Sequence, residues 1–360
     1  TWAAPIPTDL NAAVVYAYFR IGNDESDVPS ITPNSFAEQI TEMSNENNGY
    51  HVLSLDSIIN AQEQHTPLSP RSIALTFEGT DASFLHQALP LLRDNKLPFT
   101  VFVSPGLLDM ADKTNSDDYL HWSDVRHILS FKNATIGMSA YTYGHIDGKT
   151  GADLTADLNR ARTRFREELK TEPRYFSYPF GEYTQAFMDA VSKQEFVASF
   201  GQQSGVVDET QSRIALPRFS MTDDFSDVER FRLTSTSLPL PLEQIATLPT
   251  MLSENPPQLT LKISTALPNS DIAKIACFAS GMGNIPLKKE KNGIINVAFP
   301  KKFEDYKGRV NCTIPAPSLD GGDEPRWRWL GFLFIFPEDV SATSQSTPPK
   351  DRLVLDSADF

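Results

Sequence analysis

The chain has 360 residues, a length that suits two domains better than a single core. Its 40% hydrophobic and 10% aromatic content is that of a globular chain and excludes a disordered one. A formal net charge of -14 argues against nucleic acid or an anionic membrane as partner, since both select basic patches, and leaves a neutral or cationic glycan compatible.

No run of about 18 apolar residues occurs, so no transmembrane segment is expected. The chain opens at Thr1 without a basic start and an apolar core, so no signal segment is expected within it. Residues 13–19 form a continuous apolar run that reads as a buried strand. Phe36, Ile40 and Met43 then recur at helical spacing over 33–43. A strand follows at 50–55 with a helix starting at Leu55, then a strand at 72–77, a helix at 83–95 and a strand at 99–103. Strand and helix in repeated alternation predict a parallel sheet wrapped by helices.

The pattern changes after a Pro-rich stretch that holds Pro239, Pro241, Pro256 and Pro257, because Pro breaks both helices and central strands. The expected organisation is an α/β domain over 1–240, a linker over 241–257, a small domain over 258–340 and a tail over 341–360. Alternation with a period of two at 258–264, at 293–299 and in part of 329–336, with turn-rich insertions between, predicts an all-β sandwich for the small domain. The polar, Pro-containing tail is expected to be loosely ordered.

Three segments carry a resemblance to the polysaccharide deacetylases, the NodB-type carbohydrate esterase family four. Thr76-Phe77-Glu78-Gly79-Thr80 resembles the family's first motif, Thr-Phe-Asp-Asp-Gly. Ile136-Gly137-Met138-Ser139 stands where the second motif usually continues with a His and, a few residues on, another His. Arg174-Tyr175-Phe176-Ser177-Tyr178-Pro179-Phe180-Gly181 matches the third, and Pro217-Arg218 resembles the family's late strand end. The first strand, with Phe19 where a His is usual, and the order of Gly49-Tyr50 and Leu89-Pro90 are similar to the subgroup acting on β-1,6-linked poly-N-acetylglucosamine.

This resemblance covers about residues 12–225 and implies an irregular (β/α) barrel with its site at the strand C-termini. It implies Glu78 in the base position, Arg174 orienting that base, and a groove lined by Tyr141, Tyr143, His145, Tyr178, Pro179 and Phe180. The metal positions depart from the family. Gly79 and Ser139 offer no donor, Tyr143 falls at the second His position, and His145 can take that position only if the turn carries an extra residue. No His follows His145, so the usual late His acid has no counterpart. The expectation is no metal and no cofactor, and a protein that binds or presents a glycan containing N-acetylglucosamine. Its partners would be that polysaccharide and an active deacetylase or export machinery, in a secreted or periplasmic bacterial setting. The alternative is an active hydrolase of N- or O-acetyl groups in which Glu78 and Asp81, three apart at a strand end, run acid/base chemistry, with a rearranged divalent metal such as zinc.

Outside the motifs, Trp327 and Trp329 share one face of a predicted strand beside Arg326 and Arg328. They can form a sugar-stacking platform or lie in the sandwich core. Cys277 and Cys312, the two cysteines of the chain, fall in the same small domain and are candidates for a disulfide in an oxidising compartment.

Overall fold

The structure, a computed structural model, describes residues 6–23, 26, 28–243 and 247–337. The tail expected over 341–360 lies outside the described residues.

The first half is an incomplete barrel of parallel strands: β1 (Val14–Tyr18), β2 (His51–Val52), β3 (Ser72–Glu78), β4 (Phe99–Val103), β5 (Ala134–Met138), β6 (Tyr175–Ser177), β7 (Ala198–Phe200) and β8 (Phe219–Ser220). Their order is β8-β1-β3-β4-β5-β6-β7, with β2 beside the start of β3. Leu216 bridges Phe200 in parallel, and three residues on Phe219 pairs with Tyr16, so one segment of chain spans the gap between β7 and β1. Every residue of β1, β3 and β4 is buried, as the continuous apolar runs predicted, because helices cover one face and barrel side chains fill the other.

Eight longer helices pack outside: α1 (Pro33–Ser44), α2 (Leu55–Glu63), α3 (Leu89–Asp94), α4 (Pro105–Thr114), α5 (Trp122–Leu129), α6 (Gly151–Leu169), α7 (Gln185–Ser192) and α8 (Val228–Ser235). Local chemistry starts them. The Thr32 side chain accepts from the Ser35 amide ahead of Pro33 in α1, and Thr150 and Asp153 cap each other's backbone at α6. Leu154, Leu158, Ala161, Phe165 and Leu169 form the buried stripe of α6. The helix expected over 83–95 is split: Phe84–Ala88 forms a wide π turn, and regular helix begins only at Leu89.

The second half is the expected β-sandwich. One sheet runs β9 (Leu238–Pro239), β16 (Arg326–Ile335), β15 (Lys307–Ala316), β11 (Ala276–Ala279), β12 (Gly283–Ile285). The other runs β10 (Leu259–Lys262), β14 (Ile294–Val297), β13 (Leu287–Lys289). Cys277 and Cys312 stand directly opposite across β11 and β15 and form a disulfide, fully buried in the sandwich core with Val310, Ile314 and Phe334.

The described parts of the Pro-rich segment, before 244 and after 246, are held on both sides. Leu238–Pro239 pairs with β16, the Tyr183 amide donates to the Thr250 hydroxyl at 2.8 Å, and Met251 bridges Ile335. The large sheet of the sandwich meets the barrel through alternate residues of β15 and β16. Trp329 lies edge-on to Phe219 at 5.1 Å, and Arg309 donates to the Gln202 carbonyl at 2.8 Å. A Cβ built on Gly331 would sit 2.2 Å from the Ser204 carbonyl oxygen, so that glycine permits the close approach of β16 to the loop after β7. The sandwich therefore covers the strand C-terminal end of the barrel beside β6 and β7, where the site was expected.

Candidate functional site

Glu78 ends β3 and Ser177 ends β6, so parallel pairing brings both to the same rim. Arg218, just ahead of β8, crosses beneath them. Its Nη2 lies 2.5 Å from Glu78 Oε1 and 3.1 Å from Ser177 Oγ, its Nη1 donates to Thr76 Oγ1 at 3.2 Å, and its Nε donates to the Gly201 carbonyl at 2.8 Å. Ser177 also donates to Glu78 Oε1. The Glu78 side chain is 2% exposed and that of Arg218 fully sealed, with the rings of Phe102 and Phe200 beside the guanidinium. Glu78 Oε2 is buried without a hydrogen-bond partner among the described residues.

Arg174 does not orient Glu78. It lies at the opposite end of β6, more than half exposed, 3.3 Å from Asp56. The strand runs from Arg174 to Ser177, so the expected arginine sits a strand length away and Arg218 takes its place. Nor do Glu78 and Asp81 form an acid/base pair. The Asp81 carboxylate accepts from the Ser83 amide at 2.8 Å and shapes the turn after β3, while Glu78 is held by Arg218.

The expected groove residues divide. Tyr178 is fully buried against Phe176, Tyr183 and Phe187, and belongs to the core. Pro179 is buried with it. Tyr141 faces the outer helices instead: its hydroxyl donates to Asp109 of α4 at 3.1 Å and Arg160 of α6 covers its ring at 3.9 Å. Burial and the Asp109 charge push its phenol up to about 12.

Tyr143, His145 and Phe180 do come together. Phe180 adopts φ 55°, a strained conformation for a non-glycine residue, which turns its ring between the other two. His145 stacks on it at 4.5 Å and 15°, and Tyr143 meets it edge-on at 4.8 Å. Burial and then the Glu78 charge raise the Tyr143 phenol above its ordinary value.

Three residues of this cluster escaped the sequence reading. Glu182, fully buried two residues after Phe180, accepts from His145 Nδ1 at 2.7 Å, from the Ile146 amide at 3.3 Å and from the Tyr306 hydroxyl at 3.1 Å. Tyr306 comes from the sandwich, as does Lys307, whose ammonium lies 5.4 Å from the Phe180 ring centroid. The site is thus shared between the two halves of the chain. Only the Pro-x-Gly turn ahead of Glu182 hinted at it in sequence.

The residues present do not fit the divalent metal that the resemblance implies. Gly79 has no side chain, the Ser139 hydroxyl donates to the Ser177 carbonyl at 2.8 Å, and His145 holds its Nδ1 on Glu182. No three His, Cys, Asp or Glu side chains converge among the described residues.

The tryptophan platform is not formed at Trp329, which is 8% exposed. Phe219 and Arg230 occupy its ring faces and edge, and its indole N–H donates to Asn311 at 3.0 Å. Trp327 packs partly buried against the barrel core. Both tryptophans face the barrel rather than the sandwich interior.

A parallel barrel with buried polar side chains at its strand ends, closed on one side by an antiparallel β-sandwich, defines an α/β protein of the deacetylase type. Residues 65–199 match the family described as Polysaccharide deacetylase. Among curated proteins, the poly-beta-1,6-N-acetyl-D-glucosamine N-deacetylases of Staphylococcus aureus are 21% identical over 165 residues, 43% of this chain. The match spans 56% of those relatives' length, about half. Among solved structures, a deacetylase from Streptococcus pyogenes in complex with acetate superposes with a TM-score of 0.55 at 16% identity, covering 62% of this chain and 98% of its own. A de-N-acetylase from Aggregatibacter actinomycetemcomitans gives the same score and identity over 62% of this chain and 99% of its own. These likenesses show the fold.

Proposed function

We propose that this protein engages an extracellular N-acetylated polysaccharide through its deacetylase-type barrel without performing metal-dependent deacetylation. The observation that carries the reading is the rim of β3 and β5. The base position is a sealed Glu78–Arg218 pair, and Gly79, Ser139 and Tyr143 stand where donors are expected. Without a metal, water keeps a pKa near 15.7 rather than about 7, a difference that one buried carboxylate does not recover. The glycan class follows from the relatives named as poly-beta-1,6-N-acetyl-D-glucosamine N-deacetylases. A buried disulfide supports an oxidising, extracytoplasmic setting, secreted or periplasmic. A polysaccharide partner, with an active deacetylase or export machinery beside it, suits a protein that presents the polymer.

Elemental analysis of purified protein, acetate release from a β-1,6-linked N-acetylglucosamine oligomer, and calorimetric titration with the same oligomer test the proposal together. Binding without stoichiometric metal or amide hydrolysis is the expected result. Stoichiometric zinc or cobalt with chelator-sensitive acetate release would overturn it.

A further inference from the structure

The rim keeps one group able to move a proton. Glu182 is fully buried and, among the described residues, its ion pair is with His145; a carboxylate only accepts, so in the neutral imidazole the proton sits on Nδ1. That leaves the lone pair on Nε2. No described residue hydrogen-bonds Nε2, and the His145 side chain is 26% exposed. Phe180 stacked on one ring face and Tyr306 edge-on at 5.6 Å hold the ring's plane. A buried carboxylate, an oriented imidazole and an accessible Nε2 are the parts of a general base.

We infer that His145 and Glu182 form a metal-independent base that hydrolyses acetyl esters. Water gives a proton to His145 Nε2 as its oxygen bonds to the ester carbonyl carbon. The tetrahedral intermediate then breaks its bond to the sugar oxygen, which takes the proton back from Nε2, leaving an alcohol and acetic acid. Glu182 is a positioning residue that also offsets the imidazolium charge. Magnitude selects the substrate: general acid/base catalysis supplies about 10²–10⁴-fold, enough to matter for an ester and too little for an acetamide. The ligand class is therefore an O-acetylated glycan. Among the described residues, the charged and titratable groups around the imidazole are Glu182 and Tyr306, with Tyr143 and Lys307 on the Phe180 side.

The inference rests on the proposed reading only in taking the rim to face a glycan, so two probes separate them. With 4-nitrophenyl acetate and excess EDTA, the full chain is expected to exceed an equal concentration of free imidazole by at least about 10²-fold. His145→Gln should lose that excess. Glu182→Gln should lose about tenfold and move the acidic, rising limb of the pH–rate profile to lower pH, which a purely structural defect would not do. Melting curves confirm that both variants fold, and acetate release from O-acetylated xylan extends the result to a glycan. A rate no faster than imidazole, an unchanged rate in His145→Gln, or loss of activity with EDTA overturns the inference. Failure of glycan titration with ester hydrolysis intact overturns only the binding proposal.

Discussion

Arg218 reaches 2.5 Å from Glu78, and both side chains are buried. In a low-dielectric interior such a pair is held by its whole set of contacts, and removal of one partner leaves an uncompensated charge. Arg218→Met should therefore destabilise the fold by about 3–5 kcal/mol in urea unfolding. Arg218→Met combined with Glu78→Gln should recover a large part of that loss, since the remaining groups are neutral. If the double variant is as unstable as Arg218→Met alone, the charge argument is wrong and packing around Phe102 and Phe200 dominates.

Gly79 marks the missing metal carboxylate, but the backbone does not require a glycine there. A Cβ at this position meets nothing closer than the Asp81 amide nitrogen at 3.6 Å, an ordinary contact. Gly79→Asp is expected to shift stability by less than about 1 kcal/mol and to fold normally. It should still bind no zinc by calorimetry, because Ser139 and Tyr143 supply no imidazole. Tight zinc binding by the single variant would show that another donor, such as His145, can swing into the site.

The contact between the halves depends on Gly331 as much as on Trp329. Gly331→Ala puts a methyl 2.2 Å from a backbone oxygen of the loop after β7, where no flexible side chain can yield. Strain of this kind costs about 1–3 kcal/mol. Limited proteolysis should show faster cleavage in the 247–257 segment, since Thr250 and Met251 are anchored by Tyr183 and Ile335 only while the halves are docked. Unchanged cleavage would mean that the other contacts between the halves, among them Trp329, Arg309 and Tyr306, hold them docked without Gly331.

The barrel was legible because parallel strands buried on both faces appear in sequence as unbroken apolar runs, as at 13–19 and 72–77. The strand Lys307–Ala316 was not, because alternation of Lys307, Arg309 and Asn311 with Val310, Cys312 and Ile314 reads as a surface strand. Those polar residues face the barrel, where Arg309 donates to the Gln202 carbonyl and Asn311 accepts from Trp329 of the neighbouring strand. At the site, motif spacing singled out Glu78, Tyr143, His145 and Phe180, but the arginine beside Glu78 is Arg218, and Arg174 pairs with Asp56. Pairing across 140 residues is a property of strand order, and strand order is set by tertiary packing. Tyr306 was equally hidden, since it reaches the rim only through docking of the sandwich.

Glu42 ties α1 to α8 through a two-pronged bond with Arg232, at 3.0 Å to Nε and 2.9 Å to Nη2. The Arg232 hydrogen bonds hold the Glu42 carboxyl below its ordinary 4.5, partial burial opposes this, and the Tyr50 hydroxyl adds to the lowering. A carboxylate whose pKa is depressed on folding stabilises the fold above the unfolded value, and that contribution is lost as the pH falls through the folded one. Because Arg232 is about half exposed, solvent screening limits the contribution to about 1 kcal/mol. Wild type should exceed Glu42→Gln by that amount in urea unfolding at pH 6.5, and the gap should narrow as the pH falls below 4.5. A gap that persists at the lower pH would mean that Glu42 acts through packing on Tyr50 rather than through its charge.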